Sequence, residues 1–318
     1  MSDLTDRLLD TTVIGGFSRI GSTVRGIHRR PVATRMDGRT VLVTGATGGL
    51  GRATAVQLAR LGADLVVVGR DPAKLSDLEE AVEGPGEVRV EQADLSLMSE
   101  VAALADRLAG SLTRLDVLVN NVGVLLTERR ITAEGLEATY ATNLLGQYLL
   151  TERLLPLLAS SSPSRVVTVS SGGMYTAKLD PDHIDPVGGP YRGSAAYAHT
   201  KRAQVILSEV WAERHGRAGV VSHSMHPGWA DTPGVEGSLP AFRTITRAIL
   251  RTPDEGADTI VWLAADPEPA ASNGRFWHDR RPRPTHRLRR TVEEPGDRDR
   301  LLERLELDAD RLAPTIRR

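Results

Sequence analysis

Residues 40–51 read TVLVTGATGGLG. Every residue of the opening TVLVT is β-branched or aliphatic, as in a buried strand, and from Leu50 the apolar residues recur at helical spacing. Gly45 permits a tight turn, Gly49 lets the backbone approach a pyrophosphate, and Gly51 lets the helix pack on the strand. A strand, a glycine-rich turn and a helix in this order predict a dinucleotide-binding site with phosphate at the helix N-terminus.

The same alternation of strand and helix patterns continues along the chain. Further strands are predicted at 64–69, 87–91, 116–119, 165–170 and 219–225, and helices at 73–82, 97–108, 135–158 and 194–215. Continuous apolar strands between helices are typical of a parallel sheet covered on both faces. We therefore predict an α/β fold, a doubly wound Rossmann-type parallel sheet whose ligands bind beyond the carboxyl ends of the strands. This single domain spans residues 38–278, between an amphipathic extension at 1–37 and a charged tail at 279–318 that contains a short helix.

The composition excludes several kinds of site. The 318 residues include no cysteine, which excludes disulfides, thiolate metal ligands and cysteine nucleophiles, and we predict no metal site. A net charge of −1 provides no field that would recruit nucleic acid, so no nucleic-acid partner is expected. No apolar run approaches the ~18 residues of a transmembrane helix. Asp3 and Asp6 stand where a secretory signal would carry positive charge, and we expect a cytoplasmic protein.

The extension at 1–37 carries apolar residues near helical spacing among its arginines. They are Val13, Phe17, Ile20, Val24 and Ile27. This pattern predicts an amphipathic helix that packs on the domain or on a partner subunit, although four glycines weaken it. Peripheral contact with a membrane surface is the alternative. The basic start of the tail, residues 279–290, has no interleaved aromatic residues and is expected to be solvated.

The end of the second strand bears on the choice of cofactor. It reads Val68-Gly69-Arg70. In a site for NAD(H), an acidic side chain at this position would hydrogen-bond the ribose. A glycine beside an arginine instead leaves space and positive charge for a 2′-phosphate, so NADP(H) is favoured over NAD(H). Asp71 follows one residue later, and is either a late ribose ligand or the N-cap of the helix that begins near Pro72.

Polar residues that could perform proton chemistry converge on the same rim of the predicted sheet. Tyr197 and Lys201 lie four residues apart in a predicted helix, hence on one helical face. A nearby ammonium and the positive oxidised nicotinamide would each lower the pKa of a phenol, which is otherwise about 10. Ser170-Ser171 and residues 120–123 (NNVG) end strands, and Asn143 lies in a predicted helix, where asparagine is unfavourable. Each has an ordinary alternative as a cap, a turn or a buried polar residue, but their convergence indicates a catalytic site.

Together these motifs resemble the short-chain dehydrogenase/reductase family, over about residues 38 to 278. Residues 44–51 resemble its glycine turn, Asp94 its adenine-side aspartate, and 120–123 its NNAG motif with one change. Residues 226–232, HPGWADT, are similar to its PGxxxT segment, which lines the nicotinamide. YAHTKRAQVILSEVWAE and GRFWHDRRP resemble the retinol-dehydrogenase-like branch of the family.

This resemblance implies an NAD(P)-dependent oxidoreductase with a catalytic tetrad. Tyr197 would give or take the proton, and Lys201 would lower its pKa and hold the cofactor ribose. Ser171 would hydrogen-bond the reacting oxygen, and Asn143 would anchor a water relay to Lys201. The implied cofactor contacts are Gly45, Thr47, Gly48, Gly49, Leu50, Gly51, Arg70, Asp94, Leu95, Asn120, Val122, Gly123, Tyr197, Lys201, Pro227, Gly228, Trp229 and Thr232.

The expected substrate is a lipophilic carbonyl compound or its alcohol. No arginine or lysine is placed by a motif to bind a substrate anion. The candidate pocket residues are mostly apolar: Met174, Tyr175, Trp229 and Val235, with Leu239, Phe242 and Ile245 in a segment that either lines the pocket or packs as a lid. The long interval between Ser171 and Tyr197 is expected to build one wall. Two alternative functions stay open: a catalytically silent NADP(H)-binding sensor or scaffold of the same fold, and a hydro-lyase or epimerase. A homo-oligomer formed through the two long helices is also left open.

Overall fold

The computed structural model describes residues 6, 9, 12–27, 29–231, 244 and 246–314. Its strands are β1 (Thr40–Thr44), β2 (Asp64–Gly69), β3 (Val88–Gln92), β4 (Val117–Asn120), β5 (Ser164–Val169), β6 (Val220–Met225), β7 (Phe276–His278) and β8 (Arg281–Arg283). Its helices are α1 (Val13–Phe17), α2 (Arg19–Gly26), α3 (Gly49–Arg60), α4 (Pro72–Ala81), α5 (Met98–Ser111), α6 (Gly146–Ser160), α7 (Gly193–His215), α8 (Pro253–Ala265) and α9 (Asp297–Leu312).

The described strands form one sheet in the order β3-β2-β1-β4-β5-β6-β7-β8. Every neighbouring pair from β3 to β7 is parallel, and β8 runs antiparallel to β7. The strand order reverses beside β1, which pairs with both β2 and β4. In a doubly wound sheet this switch point opens a crevice at the carboxyl ends of the strands. The predicted α/β doubly wound fold is confirmed.

Helices cover both faces of the sheet because successive side chains of a strand point to opposite sides. In β1, Leu42 joins a buried cluster that includes Leu154 of α6, whereas Val43 joins a second cluster with Leu58 of α3 and Ile260 of α8. All five side chains are fully buried. Each such side chain stabilises the fold by about 1.5–3 kcal/mol relative to an exposed one. Two apolar layers thus hold the sheet, and with it the strand ends, in a fixed position.

The predicted long helix at 135–158 differs from the structure at its start. Residues 135–137 lie outside it, since Glu137 caps the first turn, Ala138–Tyr140, by accepting a hydrogen bond from the Tyr140 amide at 2.9 Å. The next five residues, Ala141–Leu145, form a π-helical segment before α6 begins. Such segments are frequent at functional sites because they displace side chains from the regular helical register.

Three elements were not predicted from the sequence. The helix α8 begins with a capping box in which the Thr252 hydroxyl accepts from the Glu255 amide at 3.2 Å and the Glu255 carboxylate accepts from the Thr252 amide at 2.8 Å. The strands β7 and β8 have three residues each, too few to show an alternating pattern. The charged tail therefore contributes a strand to the sheet, and α9 is longer than the helix expected near 298–307.

Candidate active site

A cavity of about 600 Å³ opens beyond the carboxyl ends of β4, β5 and β6. It is lined by Phe17, Leu50, Asn121, Gly123, Leu125, Val169, Ser170, Ser171, Gly172, Gly173, Tyr175, Thr176, Ser194, Tyr197, Ala198, Lys201, His226, Pro227, Gly228, Trp229, Ala230 and Arg287. Three of the four predicted tetrad residues, Ser171, Tyr197 and Lys201, therefore border one space. The fourth, Asn143, lies directly behind it.

Tyr197 and Lys201 stand one turn apart near the start of α7. The Lys201 Nζ lies 5.5 Å from the centre of the Tyr197 ring and donates a hydrogen bond to the carbonyl oxygen of Val169 at 2.9 Å. Burial lowers the pKa of the Lys201 ammonium to about 7. Burial raises the pKa of the Tyr197 phenol, and a hydrogen bond with Ser171 opposes that rise. The protein alone thus favours a neutral phenol, which is opposite to the direction expected from the sequence.

Ser171 follows β5 and caps the short 3₁₀ turn Gly172–Thr176, accepting a hydrogen bond from the Gly173 amide at 3.2 Å. A Cβ placed on Gly173 would lie 3.7 Å from both the Ser171 Oγ and the Tyr197 ring. Gly173 therefore lies beside both the serine and the tyrosine at this corner of the cavity. The preceding Ser170 donates to the carbonyl oxygen of Lys201 at 2.8 Å, which ties the end of β5 to α7.

Asn143 lies in the π-helical segment and is fully buried. Its side-chain oxygen accepts from the Val124 amide at 2.7 Å, and its side-chain nitrogen donates to the Val124 carbonyl at 2.9 Å. A Cβ placed on Gly123 would lie 3.2 Å from the Lys201 Nζ and 3.5 Å from the Asn143 Oδ1. Gly123 therefore lies next to both the ammonium and the amide.

Two buried glutamines complete this network, and sequence reasoning missed both. The Gln204 side-chain nitrogen donates to the carbonyl oxygen of Asn143 at 2.6 Å and to the Gln147 Oε1 at 2.8 Å. Gln147 in turn donates to the carbonyl oxygen of Val122 at 2.6 Å. The available signal was spacing, since Gln204 follows Lys201 by three residues and Gln147 follows Asn143 by four, which places each pair on one helical face.

The glycine turn lies at the mouth of a second cavity of about 140 Å³. It is lined by Gly45, Thr47, Val68, Gly69, Arg70, Ala93, Asp94, Leu95, Val122, Gly123, Val124 and Thr142. Gly45 and Gly49 adopt φ values of +65° and +51°, and a Cβ on Gly51 would clash with the carbonyl oxygen of Gly45. No side chain caps α3, whose N-cap is Gly48, so its first amides are available to an anion. These features fit a dinucleotide pyrophosphate.

Arg70 and Asp71 take different roles at the end of β2. The Arg70 side chain is two-thirds exposed, with one guanidinium nitrogen 3.6 Å from the Asp94 carboxylate. Asp71 caps α4 by accepting hydrogen bonds from the amides of Ala73 at 3.0 Å and Lys74 at 3.3 Å. Of its two predicted alternatives, the structure shows the helix cap.

Some predicted site residues lie elsewhere. The Asn120 side chain points into the core, where it donates to the Thr151 hydroxyl at 2.9 Å, while Asn121 borders the large cavity. Met174 is fully buried in a cluster with Phe17 and Tyr175 and does not line that cavity, whereas Tyr175 does. Thr232 and Val235, with Leu239, Phe242 and Ile245, lie outside the described residues.

The described part of the chain also bears on metal binding and on membrane insertion. It contains no group of three or more histidine, aspartate or glutamate side chains arranged to hold a metal ion. Within the same residues, no helix has both the length and the hydropathy needed to cross a bilayer.

Comparisons with known proteins agree with this geometry. The short chain dehydrogenase family profile matches residues 39–240. Dehydrogenase/reductase SDR family member 12 from Bos taurus is 39% identical to this chain over 277 residues, which cover 86% of each protein. Retinol dehydrogenase 14 from Homo sapiens is 34% identical over 282 residues, which cover 82% of this chain and 84% of that protein. A solved structure of a putative NAD(P)-dependent gluconate 5-dehydrogenase from Beutenbergia cavernae, with NADP bound at low occupancy, superposes with a TM-score of 0.62 at 25% identity, and the match covers 77% of this chain and 96% of that one. The predicted resemblance is confirmed: the chain belongs to the short-chain dehydrogenase/reductase family, in its retinol-dehydrogenase-like branch, and is an oxidoreductase.

Proposed function

We propose that the protein uses NADP(H) to interconvert a lipophilic carbonyl compound and its alcohol. The observation that carries this proposal is the placement of the Tyr197 phenol. It borders a mostly apolar cavity together with Ser171 and Lys201, at the carboxyl ends of the strands beside the glycine turn. A proton donor, a second hydroxyl and an ammonium around one space match the needs of carbonyl reduction.

The nicotinamide would supply the hydride when bound. The work of the protein is then to hold the carbonyl and to move one proton. Tyr197 is the proton donor in reduction, and Ser171 hydrogen-bonds the same substrate oxygen. Lys201, whose ammonium points between Val169 and Gly123, compensates the charge that develops on the phenol. Asn143 anchors the proton path behind Lys201, with its backbone carbonyl held by Gln204.

The cofactor preference rests on Arg70. A 2′-phosphate carries negative charge, and Arg70 borders the small cavity that the adenosine end would enter. Its contact with Asp94 is long and largely exposed, and such a pair contributes about 0–1 kcal/mol, so the guanidinium remains available to a phosphate. NAD(H) would need a carboxylate to bind its adenine-side ribose. Asp71 does not serve this role because its side chain caps α4.

The lipophilic character of the substrate rests on the cavity wall. Aromatic rings of Phe17, Tyr175 and Trp229 face it, with Leu50, Leu125 and Val169. Burial of apolar surface contributes roughly 25 cal/mol per Å², so a hydrocarbon group gains most from such a wall. The similarity to retinol dehydrogenase 14, whose name states a lipophilic alcohol, supports the same class.

The decisive experiment is NADPH oxidation with a panel of ketones and aldehydes of graded hydrophobicity. Turnover of the apolar members, lost in Tyr197→Phe while NADPH still binds, supports the proposal. Cofactor binding without turnover across the panel would instead indicate the sensor or scaffold. Turnover of small charged carbonyls alone would refute the lipophilic class.

A further inference from the structure

The ring of Phe17, from the N-terminal segment, is part of the wall of the large cavity. It is almost completely buried and meets the His226 ring edge-on, with centroids 4.4 Å apart. A Cβ placed on Gly172, the residue after Ser171, would lie 2.8 Å from the Phe17 Cε2. The ring therefore reaches the neighbour of the serine that borders Tyr197.

The backbone around Phe17 is fixed by hydrogen bonds to the domain. The Trp229 amide donates to the Phe17 carbonyl at 2.8 Å, so the two cavity-lining residues are joined directly. The preceding carbonyl, of Gly16, accepts from the Arg25 guanidinium at 2.8 Å and from the His278 ring at 3.0 Å. The Arg25 cation at the carboxyl end of the short helix α1 also matches its dipole.

A buried ion cluster holds this segment on the domain. Asp279 accepts from Arg25 of α2 at 2.8 Å and from Arg251 at 2.7 Å, and all three side chains are buried. A Cβ on Gly228 would clash with Arg251, so this glycine makes room for the arginine that reaches the N-terminal segment. The backbone of Asp279 adopts a φ of +56°, which residues other than glycine rarely adopt. This conformation costs about 1–3 kcal/mol.

Burial in this segment is selective. Phe17 is 6% exposed, whereas Ile20 and Ile27 are 51% and 68% exposed. The Arg287 guanidinium, from the tail, lies 5.4 Å from the centre of the Phe17 ring and 4.4 Å from that of Tyr175. The ring of Phe17 is thus held between the domain on one side and the tail on the other.

We propose that Phe17 is a specificity-determining residue: its ring is the wall that limits the size of the hydrocarbon group beside the reacting carbon. This inference rests on the proposed function and adds that the N-terminal segment belongs to the substrate site. A phenyl ring held this firmly excludes branched or long groups that a smaller side chain would admit.

The test uses full-length variants and phenyl alkyl ketones from acetophenone to hexanophenone. Phe17→Ala should raise the ratio of kcat/KM for hexanophenone to that for acetophenone by about tenfold or more, because pocket size discriminates by roughly 10–200-fold per methylene-sized change. Phe17→Trp should shift the ratio in the opposite direction. Ile20→Ala, in the same segment but half exposed, is the matched control and should leave the ratio unchanged.

A second measurement separates this inference from the proposed function. The same ketones are titrated calorimetrically into the protein with NADP⁺, where no reduction can occur. If the wild type binds these ketones but reduces none, the proposed function fails. The role of Phe17 is then still decided by affinity, because Phe17→Ala should favour the longer ketones and Phe17→Trp the shorter ones. If Phe17→Ala no longer binds NADP⁺, Phe17→Leu replaces it as the variant with the smaller side chain. Equal size preference in all Phe17 variants, by rate and by titration, overturns the inference.

Discussion

Lys201 is buried and Tyr197 is half-buried at the edge of the cavity, with the Lys201 Nζ 5.5 Å from the centre of the Tyr197 ring. Burial drives each group toward its neutral form, lowering the pKa of the ammonium to about 7 and raising that of the phenol. A pair poised in this way responds strongly to added charge, because desolvated groups are poorly screened by water. The geometry therefore suits a phenol that holds its proton until a substrate oxygen acquires negative charge.

Removal of the Tyr197 hydroxyl is expected to abolish turnover. Tyr197→Phe keeps the ring on the cavity wall but removes the proton donor, and general acid catalysis contributes typically about 10²–10⁴-fold. NADPH affinity should be retained. The measurement is NADPH oxidation beside a fluorescence titration of NADPH. Tyr191→Phe is the matched control, since the Tyr191 hydroxyl donates to the Glu137 carboxylate at 3.0 Å and Tyr191 does not border the cavity. Comparable turnover in the two variants contradicts the role of Tyr197.

Lys201 is expected to make the cofactor-free protein more stable as the pH rises. Its pKa is about 7 when folded and 10.5 in the reference state, so between these values the unfolded chain binds more protons, and the free energy of unfolding increases with pH. The free energy of unfolding of the wild type, measured by urea denaturation relative to that of Lys201→Met, should therefore rise as the pH increases above 7.

Lys178→Met is the control for this pH dependence. Lys178 is paired with Glu294 at 2.6 Å, and this pairing raises its pKa. Its contribution is fully present below its unfolded pKa and is lost only at higher pH, so it gives no increase over the same window. A constant difference between wild type and Lys201→Met from pH 7 to 10 would show that Lys201 is not the titrating group.

The sequence was sufficient for the sheet and the glycine turn because both depend on local patterns. The bounds of β1 and β2 were predicted to the residue, and the other predicted strands within one residue at each end. The short strands β7 and β8 carry no periodicity of their own. β7 forms because the edge of β6 is available for pairing. The connection from β7 to β8 is held in place because Asp279, which lies within it, binds arginines from distant segments.

The site was predictable where a motif names a residue and not where tertiary packing selects one. Tyr197, Lys201 and Ser171 come from motifs, and the structure brings them together. Phe17 had only an amphipathic pattern, which does not reveal which of its apolar residues turns inward. Gln204 is a polar residue on a predicted helix, and nothing local indicates that the Asn143 carbonyl would face it.

Arg70 is expected to select NADP(H). Arg70→Ala removes a guanidinium that would bind the 2′-phosphate, and hydrogen bonds to charged groups contribute about 1.5–3 kcal/mol, so Kd for NADPH should rise by roughly 10–100-fold. Kd for NADH should change little. Both are measured by nucleotide fluorescence. Arg60→Ala, at the far end of α3, controls for a general loss of positive charge. Equal effects of Arg70→Ala on both nucleotides would contradict the preference.

Gln204 is expected to position Asn143. Gln204→Leu leaves the Asn143 carbonyl without its donor at 2.6 Å, and an unsatisfied buried acceptor costs about 1–3 kcal/mol. Urea denaturation should show this loss of stability, and kcat should fall because the proton path shifts. Ser208→Ala, one turn further along α7, breaks the 3.0 Å contact with Ser222 and controls for any lost buried hydrogen bond. If both variants lose stability and keep kcat, Gln204 has no positioning role.

Asp279 is expected to fix the N-terminal segment. Its buried carboxylate balances the guanidinium groups of Arg25 and Arg251, and breaking a buried pair costs about 3–5 kcal/mol because a charge is left uncompensated. Asp279→Asn should therefore lower the free energy of unfolding by that amount and expose the arginines of residues 19–30 to trypsin. Asp106→Asn is the matched control, since Asp106 pairs with Arg153, outside this segment, and is largely exposed, where such pairs contribute about 0–1 kcal/mol. Burial opposes ionisation of Asp279, but His278 and the arginines hold the pKa of this carboxyl well below 3.8, so its contribution is present above that pH and is lost as the pH falls further. Equal cleavage and equal stability in the two variants would show that the cluster does not anchor the segment that carries Phe17.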